Sequence, residues 1–205
     1  ESNAQMKRLK KKNLQLQKQI ESGMSDLLDK KQVKLTKNYF DKLNNISNEY
    51  FKNNKRVIEL LSKYEFNFET TKGGCLSYGN FNGNNISHYY LKSLDILDHI
   101  NNQCDIASKK TFFEIGGGFG VSTHMIIEFF KVKKIIYLDI IPNLYVGTQY
   151  LKSFYGKNVI DFKECIDKDS IKFKHTDELE IFCISPDQID KVDSKIDFFH
   201  NAHSF

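Results

Sequence analysis

The residues best placed to do chemistry are in the run Phe113-Glu114-Ile115-Gly116-Gly117-Gly118-Phe119-Gly120, with Asp139 nineteen positions after its last glycine. Gly116 and Gly118 lack a Cβ, so the chain can turn tightly and let a ligand approach its backbone. Gly120 permits close packing of the turn, and a helix beginning behind it offers free N–H groups. The spacing is Gly-x-Gly-x-Gly, whereas dinucleotide sites carry Gly-x-Gly-x-x-Gly. Glu114 stands two positions before the first glycine, where its charge would repel a pyrophosphate and attract an ammonium. Asp139 ends the next apolar run, the position of a carboxylate that accepts hydrogen bonds from two ribose hydroxyls.

These side chains need a strand–turn–helix setting, and the flanking sequence predicts one. Residues 111–115 (TFFEI) read as a buried strand and 118–131 as the helix after it. Residues 134–139 (KIIYLD) form a second strand, and 142–155 a second helix with Pro142 in its first turn. A third strand covers 179–184 (LEIFCI), a short helix 186–192, and a fourth strand 196–202. Residues 156–178 are polar and receive no element. This alternation predicts an α/β fold with a Rossmann-like, doubly wound, mostly parallel sheet and right-handed crossovers.

Upstream, Ser87 is a natural cap for a helix over 88–101. Residues 70–87 hold four Gly and four Asn and read as a loop with several left-handed positions. Val33, Leu35, Tyr39, Phe40, Leu43, Ile46 and Tyr50 recur at spacings of three and four, predicting an amphipathic helix within 24–51. Val57, Ile58, Leu60, Leu61 and Tyr64 suggest a short one. Residues 4–20 carry a thin stripe of Leu9, Leu16 and Ile20 among Lys and Gln. The expected division is a helical basic extension over 1–70 and a ligand-binding domain over 71–205.

In an open sheet of this kind the ligand lies beyond the carboxyl ends of the strands. A ligand with an ammonium for Glu114 and a ribose for Asp139 is S-adenosylmethionine. At these residues the sequence resembles the class I S-adenosylmethionine-dependent methyltransferases: EIGGGFG is similar to their first motif, and Asp139 to their ribose-binding acid. More narrowly it resembles the sugar O-methyltransferase family. There the second strand runs into a D-x-x-P-x-L-Y-x-x-x-x-Y-L segment, here Asp139, Pro142, Leu144, Tyr145, Tyr150 and Leu151, and a His-Ser pair follows the fourth strand, here His203-Ser204. The resemblance covers residues 75 to 205.

It implies a set of roles. Glu114, Gly116, Gly117 and Gly118 would hold the methionine part of the cofactor, and Asp139 its ribose. Ile140 would line the adenine or ribose side. Ser185, with Pro186 and Asp187, would contact the adenine edge or cap the helix after it. Asn201 and Ala202 would lie under the sulfonium. His203 is the candidate catalytic base for a sugar hydroxyl, since imidazole titrates near pH 6.5. His200 is expected to point away and pack, His175 to be solvated, and His88 and Tyr89 to lie within reach of the cofactor. No metal-ligand cluster is visible. Such methyltransferases have a fuller sheet than four strands, so C-terminal strands are expected to be missing from this chain.

Composition bounds the reading. The chain has 205 residues and a formal charge of +4. Residues 1–64 hold 15 Lys and Arg against 7 Asp and Glu, and residues 65–205 hold 15 against 19. The positive charge thus belongs to the N-terminal extension, and the domain is mildly acidic. Only Arg8 and Arg56 are arginine, which disfavours sequence-specific nucleic-acid reading. No run approaches a membrane span. Cys75, Cys104, Cys165 and Cys183 form no CxxC pair, so reduced thiols in a cytoplasmic protein are expected, with Cys183 in a buried strand. The leading expectation is an S-adenosylmethionine-dependent O-methyltransferase acting on a sugar or glycan precursor and releasing S-adenosylhomocysteine. The N-terminal helices would serve oligomer or domain contacts. Its rivals are an NAD-dependent sugar oxidoreductase or epimerase, and an inactive methyltransferase-fold partner module.

Overall fold

A computed structural model describes residues 30–72 and 78–201, with side chains from Lys37 onward. Residues 4–20, with their thin apolar stripe, lie outside the described residues. The chain divides into two compact units: one runs to Ile58 and takes up Glu69–Ser87, the other comprises Glu59–Phe68 and the chain from His88 onward. The Gly/Asn segment therefore groups with the N-terminal helices, whereas the sequence reading put it with the sheet.

α1 spans Lys30–Asn53 in the first unit, and α2, Lys55–Lys63, begins there and continues into the segment from Glu59 that belongs to the second. Asn54 breaks the run: its Oδ1 accepts the N–H of Val57 at 3.2 Å, capping α2. The buried stripe of α1 runs through Ser47 and Phe51, while Ile46 and Tyr50, expected in it, are about half exposed. The segment read as a loop is a hairpin, with β1 at Tyr78–Phe81 and β2 at Asn84–Ser87. Asn82 (φ 50°) and Gly83 (φ 85°) form its two-residue turn, the left-handed pair that matches strand twist. Gly79 lets β1 lie on the Phe51 ring, 2.8 Å from where a Cβ would stand. The Asn80 N–H donates to Asn48 Oδ1 at 2.6 Å.

The second unit holds the sheet. Its elements are α3 (His88–Cys104), β3 (Thr111–Ile115), α4 (Val121–Phe130), β4 (Lys134–Leu138), α5 (Asn143–Tyr155), β5 (Val159–Ile160), α6 (Phe162–Ile166), β6 (Glu180–Ile184) and β7 (Phe198–His200). The strands lie in the order β5-β6-β4-β3-β7, every pair parallel. This is the α/β architecture expected, with one strand more than the sequence reading placed. β5 and α6 occupy the polar stretch left unassigned. Asp161 starts α6 with a capping box, accepting from the Lys163 N–H at 3.2 Å while Glu164 accepts from the Asp161 N–H at 3.1 Å. The predicted helix at 186–192 is a 3-10 turn over Pro186–Lys191.

Alternation along the strands assigns two faces. Phe113, Ile136, Leu138, Phe182 and Ile184 point to one, packed with Cys165 of α6 and Ile171. Phe112, Glu114, Ile135, Tyr137, Ile181 and Cys183 point to the other and are buried. On that side Tyr90 of α3 is tied down by a buried polar cluster: its hydroxyl meets His124 Nδ1 at 2.5 Å and the Tyr150 hydroxyl. Phe66, Phe68 and Phe129 pack around it, with ring centroids 5.1–5.5 Å apart. The chain builds outward from β3 through β4, then returns to place β7 on the other side of β3. That reversal opens a crevice at the carboxyl ends of β3 and β7.

Candidate functional site

The sheet register brings four reactive-type side chains into one row. Glu114 lies opposite His200 on one side and Tyr137 on the other, and Tyr137 lies opposite Cys183. All four are buried. The glycine turn arches over this row. Gly116, Gly118 and Gly120 have φ of 69°, 59° and 85°, the left-handed region that glycine enters at no steric cost. Gly117 is needed for another reason: a Cβ there would stand 2.2 Å from the Tyr137 ring.

β4 clamps the turn. The Gly116 N–H donates to Leu138 O at 2.8 Å, the Tyr137 hydroxyl donates to Gly118 O at 2.7 Å, and the Gly118 N–H donates to Asp139 Oδ2 at 2.6 Å. The other oxygen of Asp139 accepts the Ile140 N–H at 2.7 Å. Each oxygen of this buried carboxylate keeps a second lone pair. Beside it Ile140 and Ile141 expose 60% and 63% of their surface, an apolar step at the strand end. The Tyr137 hydroxyl is held protonated by burial, reinforced by the charges of Asp139 and Glu114. It therefore acts as a donor.

Glu114 is engaged from two sides. Its Oε2 accepts the Thr123 hydroxyl from α4, and its Oε1 lies 3.5 Å from His200 Nδ1. A small cavity of about 80 Å³ opens here, lined by Glu114, Gly116, Gly117, His200, Tyr89 and Lys92 among others. His200 was expected to point away on its strand. It does pack, stacked on Phe112 at 6.0 Å, but on the same face as Glu114, so it forms the cavity wall. Tyr89 stands over the turn, its hydroxyl 3.9 Å from the Cβ position of Gly118. Burial and then the charge of Glu114 raise the pKa of this hydroxyl, and burial lowers that of His88.

The remaining expected residues fall as follows. Ser185 is buried at the end of β6, its N–H and hydroxyl donating to Gln188 Oε1 at 2.9 and 3.1 Å. It starts the 3-10 turn. The Asp139 N–H donates to Ile184 O at 3.3 Å, so Ser185 follows directly on the strand beside Asp139. Asn201 is half-buried at the end of β7. Ala202 and His203 lie outside the described residues. His175 is exposed, far from the turn, at the amino ends of the strands. Burial pushes the Cys183 thiol up to about 12, which makes it inert packing beneath the row. Among the described residues no three His, Cys, Asp or Glu side chains are grouped to hold a metal ion.

The structure therefore brings Glu114, Gly116, Gly117, Gly118, Asp139 and Ile140 to one place. Sequence reasoning missed Tyr137, Thr123, Gly147 of α5, where a Cβ would stand 2.0 Å from the Tyr137 hydroxyl oxygen, and the true orientation of His200. The signal for His200 was available in strand alternation, but only once its register with Glu114 is fixed. Comparison with protein-family models, curated proteins and solved structures gives no match to this chain.

Proposed function

We propose that the chain binds S-adenosylmethionine over the carboxyl ends of β3 and β4 and transfers its methyl group to a hydroxyl of a sugar or glycan precursor. The observation that carries the reading is the bond from the Gly118 N–H to Asp139. It joins the glycine turn and the ribose-type acid into one cradle.

The residues present fit that cofactor. The spare lone pairs of Asp139 can accept two ribose hydroxyls. Glu114 supplies negative charge where an amino-acid ammonium would lie. Gly116 to Gly118 leave no side chain in the way, and Ile140 offers an apolar surface to a flat base. Ser185 and Asn201 stand at the ends of the neighbouring strands β6 and β7, where they would meet the adenine and sulfonium sides, and Ala202 follows Asn201 in the sequence. The bound sulfonium would supply an activated methyl group. The work left to the chain is to align the acceptor oxygen for in-line attack and to remove its proton. His203, three residues beyond His200, is the proposed base. The sugar class rests on the resemblance of the Asp139–Leu151 and His203-Ser204 segments.

The test is titration with S-adenosylhomocysteine of wild type, Asp139→Ala and Glu114→Ala. Loss of a charge-assisted hydrogen bond should weaken binding by about tenfold or more in each. Unchanged affinity in both variants would refute the assignment. His203→Ala should leave cofactor binding intact and slow methyl transfer by about a hundredfold.

A further inference from the structure

The opposite end of the same sheet carries a feature with no part in this reaction. A groove of about 770 Å³ runs along the amino ends of the strands, lined by Lys109, Lys110, Lys131, Lys133, Lys134, Lys172, Lys174 and Lys195. These are eight of the fifteen lysines that follow residue 64. They come from four separate segments of a domain whose net charge is negative, so the fold has gathered them and the sequence alone does not. Three are held by acids: Lys133 by Asp177, Lys134 by Glu180 at 2.6 Å and Lys172 by Asp193 at 3.2 Å. The ammonium groups of the other five, Lys109, Lys110, Lys131, Lys174 and Lys195, make no ion pair with an acid among the described residues, although the backbone N–H groups of Lys110 and Lys174 donate to Asp197 at 3.1 Å and Glu180 at 2.9 Å. Lys131 closes α4 in the left-handed conformation, where its charge also complements the helix C-terminus. One helix end accounts for one lysine, not for eight.

We propose that this groove is a docking site for an acidic polysaccharide. Like charges gathered in a concave surface focus a positive potential that a chain of repeated anions neutralises. The groove contains no arginine, so it offers point charges to singly charged carboxylates or sulfates without the planar fork that reads phosphates and base edges. Of its two rings, Phe173 is half-buried against Phe182 at 5.6 Å and the His175 imidazole alone is exposed, so it lacks the succession of aromatic platforms on which the bases of a single-stranded nucleic acid stack. A concave lining ringed by lysines also suits a flexible anionic chain better than a flat bilayer. The proposal stands whether or not the carboxyl-end site transfers a methyl group. If both hold, the polymer is tethered at one end of the sheet while its precursor or terminus reacts at the other.

The test is binding of labelled heparin oligosaccharides and polygalacturonate oligomers to the full chain, followed by anisotropy over a range of salt. A triple variant, Lys110→Gln, Lys174→Gln and Lys195→Gln, should weaken both by about tenfold or more and flatten the salt dependence. A control triple in the same domain, Lys157→Gln, Lys163→Gln and Lys168→Gln, removes equal charge outside the groove and should change affinity by less than about twofold. Thermal melting of both variants checks folding, and the substituted lysines are all exposed. Equal loss in the two triples would overturn the proposal by showing non-specific attraction. Absence of binding to either glycan, or tighter binding of oligo-dT or polyglutamate of matched charge, would also overturn it.

Discussion

Tyr137 is the residue around which the site is assembled. Its ring lies under Gly117 and its hydroxyl reaches Gly118 O past Gly147 of α5. A Cβ on Gly147 would fall 2.0 Å from the Tyr137 oxygen and 2.9 Å from Gly118 O. Alanine in place of glycine inside a helix ordinarily stabilises by about 1 kcal/mol. Here Gly147→Ala should instead destabilise by about 1–3 kcal/mol, the usual cost of forcing atoms into a packed site. It should also weaken S-adenosylhomocysteine, because the displaced ring is what the glycine turn rests on. A Gly147→Ala protein that melts above wild type would contradict this packing. The glycines and Asp139 were legible in the sequence because their chemistry is local. The need for Gly147 was not, because it is created by a tyrosine on another element.

At the scale of elements, α6 shows how a short helix is fixed. Asp161 caps it and also pairs with Lys152 of α5 at 2.8 Å. Burial pushes the Asp161 carboxyl up, but the hydrogen bonds from Lys152 and from the Lys163 N–H, with their charges, outweigh it and leave it below the usual carboxylate range. The Lys152 ammonium is raised, chiefly by its hydrogen bond to Asp161. A carboxyl with a depressed folded pKa stabilises above its unfolded pKa, near 3.8, and loses that contribution as pH falls through the folded value. The raised lysine stabilises below its unfolded pKa, near 10.5, and loses its share as pH rises past that value. Asp161→Asn keeps a capping side chain but drops the charge. It should therefore lower Tm by a small amount at pH 7, corresponding to no more than about 1 kcal/mol for a partly exposed pair. The gap should close below about pH 4. A difference that does not shrink at all between about pH 4 and about pH 2 would point to the cap and not the ion pair.

Element boundaries were legible where hydrophobic period and length agreed, as in β3, β4, β6 and α5. They were not where the signal was turn chemistry. The Asn82-Gly83 hairpin was concealed within a segment whose Gly and Asn content suggested an open loop. β5 is only two residues long, too short to show alternation, and α6 announced itself solely through the Asp161-x-x-Glu164 capping pattern.

At the scale of the molecule, charge is arranged by the fold more finely than by the sequence. The acidic domain sets buried carboxylates, Glu114 and Asp139, at the carboxyl ends of its strands and eight lysines around their amino ends. A buried ion pair, Lys134–Glu180, closes the amino end. Glu180→Gln should cost about 3 kcal/mol or more, since it leaves a buried ammonium uncompensated. Chemical denaturation measures this, and a loss well under 1 kcal/mol would mean that Lys134 reaches solvent. The sequence disclosed the parallel α/β plan and the glycine–acid motif. It did not disclose the lysine groove, because those residues are dispersed in the chain and converge only when the strands are laid in order.

The most direct measurement is a calorimetric titration of the wild-type chain with S-adenosylhomocysteine and, separately, with NAD. The proposed cradle of the glycine turn, Asp139 and Glu114 predicts one-to-one binding of S-adenosylhomocysteine and none of NAD, because the charge of Glu114 beside the turn would repel a pyrophosphate. Binding of NAD without S-adenosylhomocysteine would contradict it.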